Sequence, residues 1–198
     1  GPVRTALILV AVLAWTISPY PTLMPVFAKY VYSGGPETLG WLLSAAGAGA
    51  LCSAIYLANR KTVRGIGTAI ALAAITAGVA MAAFGFLRYL PLALVLMMFI
   101  GGGTVLAAAG TNIVMQSLVE DRMRGRIAGF YTMAFVGTAP LGHLAAGVLA
   151  REFGAPITFV ANGILCVLVA LWFWQQLPRL RTALQPEYER LGMTSDES

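Results

Sequence analysis

The sequence predicts an all-α integral membrane fold of six transmembrane helices. Of its 198 residues, 59% are hydrophobic and 11% are charged, against about 25% charged residues in an average soluble domain. The charges separate six uncharged runs of 22 to 31 residues, and a helix needs about 20 apolar residues to cross the hydrocarbon core. The predicted spans are about 5–30, 38–59, 64–87, 92–117, 126–150 and 155–177, which form a bundle over 1–178; residues 179–198 are expected to form a disordered cytoplasmic tail.

The basic residues predict the orientation, because Lys and Arg in short loops are retained on the cytoplasmic side. With six spans both termini share one side, which holds ten of the 13 basic residues and leaves Lys29, Arg88 and Arg151 on the other. Both termini are therefore predicted to be cytoplasmic, in a multi-pass protein of the inner (plasma) membrane. Topology accounts for most of the net charge of +5, so no nucleic-acid partner is implied.

Spans 1 and 4 carry the features expected of a cavity wall. Span 1 contains three prolines, which free backbone carbonyls that neighbouring helices or a wet cavity must satisfy. In span 4 the amide of Asn112 is costly in lipid and is expected to face inward, towards another helix or towards water. The predicted substrate-binding residues are Trp15, Tyr20, Thr22, Met98 and Asn112.

Spans 2 and 5 are rich in small residues. In lipid, helices associate closely only where small residues let their backbones approach. Packing within this bundle and packing against a mobile partner both fit this composition. The predicted interface residues are Gly47, Gly49, Gly129, Gly137, Pro140, Gly142 and Gly147.

An internal similarity relates the two halves of the chain. Gly40-Trp41 opens span 2, and Gly129-Phe130 opens span 5, with an alanine four residues later in both. The offset of 89 residues corresponds to three spans. Spans 1–3 and 4–6 would then form a 3+3 inverted repeat, a plan found in secondary transporters.

A charge cluster separates spans 4 and 5. In "EDRMRGR" (residues 120–126) the acidic pair follows one helix and the arginines precede the next, the reverse of what helix dipoles favour. This arrangement fits either a cytoplasmic latch, in which arginines bind the ends of adjacent helices in one conformation, or a solvated loop. The predicted gating and loop residues are Asp121, Arg122, Arg124, Gly125 and Arg126, together with Arg60 and Arg64 in the turn after span 2.

The cluster, the following "GTAPLG" (137–142) with Gly147, and the ending "LPRLR" (177–181) resemble the major facilitator superfamily. The similarity is to helices seven to twelve of bacterial exporters related to the enterobactin exporter and the macrolide efflux pumps. It implies that spans 1 and 4 line a transport cavity, spans 2 and 5 face the other half, and spans 3 and 6 support them. It also implies an N-terminal six-helix half of the same protein, or a second copy of this chain, as partner.

The chemistry of the spans restricts the function. No Asp or Glu lies inside a span, so His143 is the only intramembrane candidate for a coupling residue. One histidine excludes an HExxH zinc enzyme, and neither a metal site nor a cofactor is predicted. The lack of buried charge favours a lipophilic or amphipathic small molecule, exported through the bilayer by alternating access. A stand-alone six-span protein, acting as a homodimeric half-transporter or a non-transporting scaffold, is the alternative.

Overall fold

The computed structural model describes residues 15–16, 20–60, 65–117 and 124–190. These residues form six α-helices in chain order, with a π-helical turn, Phe27–Val31, directly after the first. The helices are α1 (Tyr20–Val26), α2 (Pro36–Asn59), α3 (Ile66–Phe86), α4 (Leu90–Ser117), α5 (Arg124–Phe153) and α6 (Ala155–Arg190). The prediction of an all-helical protein is confirmed.

Four of the described helices are long and apolar enough to cross a membrane. They contain the stretches Pro36–Asn59, Ile66–Phe86, Leu90–Val114 and Ala155–Pro178. These stretches coincide with predicted spans 2, 3, 4 and 6 to within two residues at most ends. Of predicted span 1, residues 5–14 and 17–19 lie outside the described part of the chain.

Local sequence explains where the helices begin and change. Pro36 occupies the first turn of α2, where a missing amide hydrogen costs nothing. Pro25 lies inside α1, and the π-helical turn follows it, with the amide of Tyr32 donating to the carbonyl of Phe27 five residues back at 3.0 Å. Gly154 joins α5 to α6 with φ of +90°, which residues with a Cβ rarely adopt.

Helix α6 extends further than the sequence predicts. It passes the expected end of span 6 at residue 177 and continues to Arg190, through residues predicted to form a disordered tail. The segment is rich in Arg, Leu, Glu, Gln and Ala, which are strong helix formers. Pro178 and Pro186, which disfavour helix interiors, lie in the same segment, so propensity alone does not explain the extension.

The core lies around α3, which packs against α4 on one side and α6 on the other. Gly78 and Gly163 bring α3 and α6 together: a Cβ on Gly163 would lie 2.6 Å from the Gly78 carbonyl oxygen. At one end of the bundle, Phe27, Phe84 and Phe159 form an aromatic cluster with ring centroids 4.9 to 5.2 Å apart. This cluster joins the π-helical turn to α3 and α6.

Helix α2 packs on α4 through a narrow stripe. Only Leu42, Ala46 and Gly49 are buried on α2. Gly49 lies against the backbone of Met98, and Gly101 of α4 lies against the backbone of Ala46. Most of the remaining surface of α2 is exposed.

Candidate functional site

The junction of α1 and α5 brings together residues that are far apart in the sequence. Thr22 Oγ1 and His143 Nδ1 lie 2.6 Å apart and share a hydrogen bond. A neutral imidazole with its proton on Nε2 accepts this bond from the hydroxyl, and an imidazolium donates it. The bond therefore joins α1 to α5.

Gly142, next to His143, allows α5 to approach Trp15, which precedes α1. A Cβ on Gly142 would lie 2.8 Å from the backbone oxygen of Trp15, so only glycine fits here without displacing backbone. Tyr20 is half-buried and packs against the core. Three of the predicted substrate-binding residues, Trp15, Tyr20 and Thr22, therefore lie near the predicted coupling residue.

The other two predicted substrate-binding residues lie elsewhere, on α4. Asn112 is half-buried, one position after Thr111, whose hydroxyl donates to the Ala107 carbonyl at 2.6 Å. Met98 is 40% exposed and faces a groove between α2, α3 and α4. The 14 positions between Met98 and Asn112 correspond to about 21 Å along a helix, so one small ligand cannot contact both.

The predicted gating residues are only partly described. Arg60 follows α2 and donates from Nη1 to the hydroxyl of Tyr56 at 2.8 Å, with its guanidinium carbon 5.5 Å from the centre of the same ring. Gly125, near the start of α5, is exposed. The backbones of Arg124 and Arg126 belong to the first turn of α5. Arg64, Asp121 and Arg122 lie outside the described residues.

The predicted interface residues divide into two groups. Gly49 and Gly142 touch backbone of a neighbouring helix, Met98 and Trp15 respectively. The others are open: Pro140 is exposed on α5, and a Cβ would meet no atom within 4 Å at Gly47, Gly129, Gly137 and Gly147. Among the described residues, the four glycines contact no neighbouring helix within 4 Å, and Pro140 is exposed.

The close contact between α3 and α6 and two residues of the groove were not predicted from the sequence. Spans 3 and 6 were expected to act as aliphatic scaffold, yet Gly78 and Gly163 give them a backbone-to-backbone contact. Cys52 and Ser53 line the groove next to Met98. The glycines at 78 and 85 of α3, facing α6, were the available signal. Within the described ranges, no three His, Cys, Asp or Glu side chains lie together as a metal site requires.

Comparison with known proteins identifies the family. The transmembrane secretion effector family of the major facilitator superfamily matches residues 2–191. The chain belongs to this family. The predictions of membership in this superfamily of membrane proteins, and against an enzyme, are thereby confirmed.

Curated relatives and solved structures agree with this assignment. The chain is 36% identical over 160 residues to the multidrug efflux pump Tap of Mycolicibacterium fortuitum, covering 79% of this chain and 38% of the relative. It is 34% identical over 152 residues to Tap of Mycobacterium tuberculosis, covering 74% and 35%. The chain thus spans little more than a third of the length of these relatives.

The fold matches half of a solved transporter. In a partially occluded inward-open structure of the xylose transporter XylE from E. coli, 97% of this chain superimposes on 56% of that chain, with a TM-score of 0.72 and 14% sequence identity. A second XylE structure, bound to 6-bromo-6-deoxy-D-glucose, gives a TM-score of 0.66 at 17% identity, over 88% of this chain and 44% of that one. At this identity the likeness shows the fold alone.

Proposed function

We propose that this chain forms one six-helix half of a secondary active transporter that exports lipophilic or amphipathic small molecules by alternating access. The observation that carries the proposal is the open small-residue face of α2, defined by Gly40, Ser44, Gly47 and Leu51. All four residues are exposed, and a Cβ at Gly40 or Gly47 would meet no atom. Such a face allows close approach of another helix, as the second half of a transporter would require.

The helix contacts support a 3+3 inverted repeat within this half. Helix α4 packs against α2 and α3, and the N-terminal segment around α1 contacts α5 and α6. Exchanging α1 with α4, α2 with α5 and α3 with α6 converts one set of contacts into the other and leaves the α3–α6 pair unchanged. This symmetry is the one expected for repeats related by an axis in the membrane plane.

The symmetry extends to particular contacts. Gly142 of α5 lies against Trp15, which precedes α1. Subtracting the 89-residue offset from Gly142 gives Ser53, and adding it to Trp15 gives Thr104. In the structure Ser53 lies beside Gly102, whose Cβ would be 3.0 Å from the Ser53 hydroxyl. The two contacts correspond to within two residues.

In the proposed orientation, the protein lies in the inner (plasma) membrane and both of its termini are cytoplasmic. The hydroxyl of Tyr32, after the π-helical turn, donates to the Leu87 carbonyl at 3.2 Å. The α1–α2 and α3–α4 turns therefore lie at the same end of the bundle, which carries Lys29 and Arg88. The opposite end carries Arg60 and the arginines that begin α5, in agreement with retention of basic residues in the cytoplasm.

The proposed substrate class follows from the polar groups available. The predicted spans contain no Asp or Glu. They therefore offer a substrate hydroxyl, amide, imidazole, thioether and aromatic groups. Export rather than import is carried over from relatives described as multidrug efflux pumps. In the alternative arrangement, a second copy of this chain would supply the other half.

The charge cluster at 120–126 is proposed to act as a cytoplasmic latch. Arginines that begin α5 can bind the carbonyl ends of adjacent helices, which carry partial negative charge. Such contacts would form in one conformation and break in the other. Replacement of Arg124 by Gln is expected to slow transport more than it lowers substrate affinity, and equal transport rates would exclude the latch.

Dye efflux from cells that express the intact protein tests the proposed function. A lipophilic dye such as rhodamine 6G should leave these cells faster than cells without the protein. Tyr20→Ala and Asn112→Ala should each slow efflux by about tenfold, the effect of losing roughly 1.4 kcal/mol of binding. The matched control is Tyr89→Ala, because Tyr89 is 64% exposed in the α3–α4 turn. Wild-type efflux in both cavity variants would contradict the assignment of Tyr20 and Asn112 to the cavity.

A further inference from the structure

A pocket lies at one end of the bundle, between the π-helical turn and the start of α2. Its volume is about 390 Å³, within the range of roughly 300–1,000 Å³ typical of small-molecule sites. Lys29 lines it together with Pro25 and Ala28 on one side, and residues 34–36 with Leu39 line it on the other. The pocket is thus formed where the chain turns from α1 into α2.

Local backbone structure holds the walls of this pocket. Pro25 removes an amide donor from α1, and the chain continues as the π-helical turn that carries Lys29. The amide of Gly34 then donates to the Ala28 carbonyl at 2.8 Å, which fixes the return of the chain to α2. The pocket therefore has its shape from residues close together in the sequence.

The lining combines an apolar wall with one positive charge. Of the described residues that line the pocket, Lys29 alone is charged, and the others are proline, glycine, alanine and leucine. The Lys29 ammonium lies 5.3 Å from the centre of the Tyr30 ring, which at an exposed site is a weak contact. Glu37, in the first turn of α2, does not line the pocket. The lining therefore complements a molecule with an apolar body and an anionic group.

The position of the pocket suits an amphipathic molecule. The apolar stretch of α2 that is long enough to cross a membrane begins at Pro36, so the pocket lies at the boundary between membrane and water. Helix α1 is predicted to line the transport cavity, and Leu39 directly precedes Gly40, where the open face of α2 begins. In the proposed function, the pocket therefore lies at the mouth of the cavity, between the two halves, rather than against lipid.

We propose that this pocket binds transported amphipathic anions, which are small molecules with an apolar body and a sulfonate, carboxylate or phosphate group. Lys29 binds the anionic group, and the apolar wall contacts the body. This inference rests on the proposed function and adds a substrate class to it. The test below measures binding to the intact protein rather than efflux, so failure of either proposal is recognised separately.

Two dyes that differ in one group test the role of Lys29. The anion 8-anilino-1-naphthalenesulfonate and the neutral N-phenyl-1-naphthylamine share an aromatic body, and both fluoresce more strongly in apolar surroundings. They are titrated into the intact protein in phosphatidylcholine nanodiscs, and the signal of protein-free nanodiscs is subtracted. Lys29→Gln should weaken binding of the anionic dye about fivefold, the effect of one ion pair at an exposed site, and should leave the neutral dye unchanged.

The matched control for charge is Arg88→Gln. Arg88 is exposed at the same end of the bundle and does not line the pocket, so this variant removes the same charge from outside the site. It should leave binding of both dyes unchanged. Equal weakening of the anionic dye by Lys29→Gln and Arg88→Gln would attribute binding to net charge and overturn the proposal. Wild-type binding of the anionic dye by Lys29→Gln would overturn it as well.

A second pair of variants tests the shape of the pocket. A Cβ at Gly35 meets no atom within 4 Å, so Gly35→Phe has room for its side chain, which should fill part of the pocket and weaken binding of both dyes. Gly147→Phe on α5, where a Cβ also meets no atom, should leave both dyes unchanged. Wild-type binding of both dyes by Gly35→Phe would show that they bind elsewhere.

Competition identifies the occupant. Octanesulfonate, a small amphipathic anion, should displace the anionic dye from the wild-type protein. Phosphatidylglycerol, added to the nanodiscs in place of part of the phosphatidylcholine, should leave the dye bound. Displacement by phosphatidylglycerol but not by octanesulfonate would assign the pocket to a lipid headgroup and overturn the proposal.

Discussion

Helices α2 and α3 are both apolar and rich in small residues, but their environments differ. Of the apolar stretch of α3 that is long enough to cross a membrane, 56% is buried, against 17% of the corresponding stretch of α2. Glycines of α3 touch the backbone or side chains of α6, while Gly40 and Gly47 of α2 face open space. Small residues in a membrane helix thus show that close approach is possible, without showing which partner approaches.

The contrast extends to α6 and α5, the helices that the proposed repeat relates to α3 and α2. Helix α6 is packed against α3, whereas α5 buries few of its described side chains and keeps Gly129, Gly137 and Gly147 open. The packed pair supplies the stability of this half. The open pair, in the proposed function, supplies the surface that moves against a second half.

The largest expected effect comes from the packed pair. Gly163→Leu would force a side chain against the Gly78 carbonyl and should destabilise the fold by at least about 1–3 kcal/mol, the usual cost of overpacking. Thermal unfolding in detergent measures the loss. The matched control is Gly147→Leu on α5, where a side chain meets open space. Equal melting temperatures for the two variants would contradict the packing described for α3 and α6.

The open face of α2 gives the next prediction. A Cβ at Gly47 meets no described atom within 4 Å, so the melting temperature of Gly47→Leu should stay within a few degrees of wild type while efflux falls by about tenfold. Gly49→Leu, two positions away, should instead lower stability because Gly49 lies against the Met98 backbone. Normal efflux with Gly47→Leu would show that this face has no functional partner.

The hydrogen bond between α1 and α5 gives a smaller effect. Thr22→Val preserves shape but removes the hydroxyl bonded to His143, at a cost of about 0.5–1.5 kcal/mol. Thr22→Ser should restore both stability and efflux, because it restores the hydroxyl. If Thr22→Val has the stability and efflux of wild type, the hydrogen bond contributes nothing to the junction of α1 and α5.

The smallest effect is at the end of the packed core. Burial raises the pKa of Tyr32 to about 12, and the positive charge of Arg88 partly offsets this. Between pH 10 and 12 the folded state retains a proton that the unfolded state loses, so the free energy of unfolding should fall as the pH rises. Tyr32→Phe should weaken this fall, and should cost about 0.5–1.5 kcal/mol at neutral pH through the lost bond to Leu87. A pH profile identical to that of wild type would contradict the role of Tyr32.

The sequence was sufficient to predict which segments form helices, because charges mark the ends of uncharged runs long enough to cross a bilayer. It was not sufficient to predict which helix faces are covered. In soluble proteins an apolar stripe identifies the buried side, but lipid is as apolar as the core and removes that contrast. The prediction for Gly47 and Gly49 was therefore the same, although one is open and the other touches Met98.

The site was predicted in parts rather than as a unit. Thr22 and His143 were selected for separate reasons, and nothing in the sequence joins residues 121 positions apart. The π-helical turn after Pro25 could not be predicted from the sequence either. Three prolines indicate that a helix is interrupted, but not which backbone conformation follows. Met98 was assigned to the cavity from its span, and that assignment stays a prediction; in the structure Met98 lines the groove between α2, α3 and α4.

The accessibility of the open α2 face tests the central claim most directly. Gly47→Cys is introduced in a Cys52→Ser background and reacted with a water-soluble methanethiosulfonate, with and without rhodamine 6G, and Val79→Cys on α3 serves as the lipid-facing control. The account predicts that Gly47→Cys reacts with the water-soluble reagent, at a rate that changes with the dye, while Val79→Cys reacts only with a membrane-permeant maleimide. If Gly47→Cys also reacts only with the permeant reagent, its face lies against lipid and the alternating-access account is wrong.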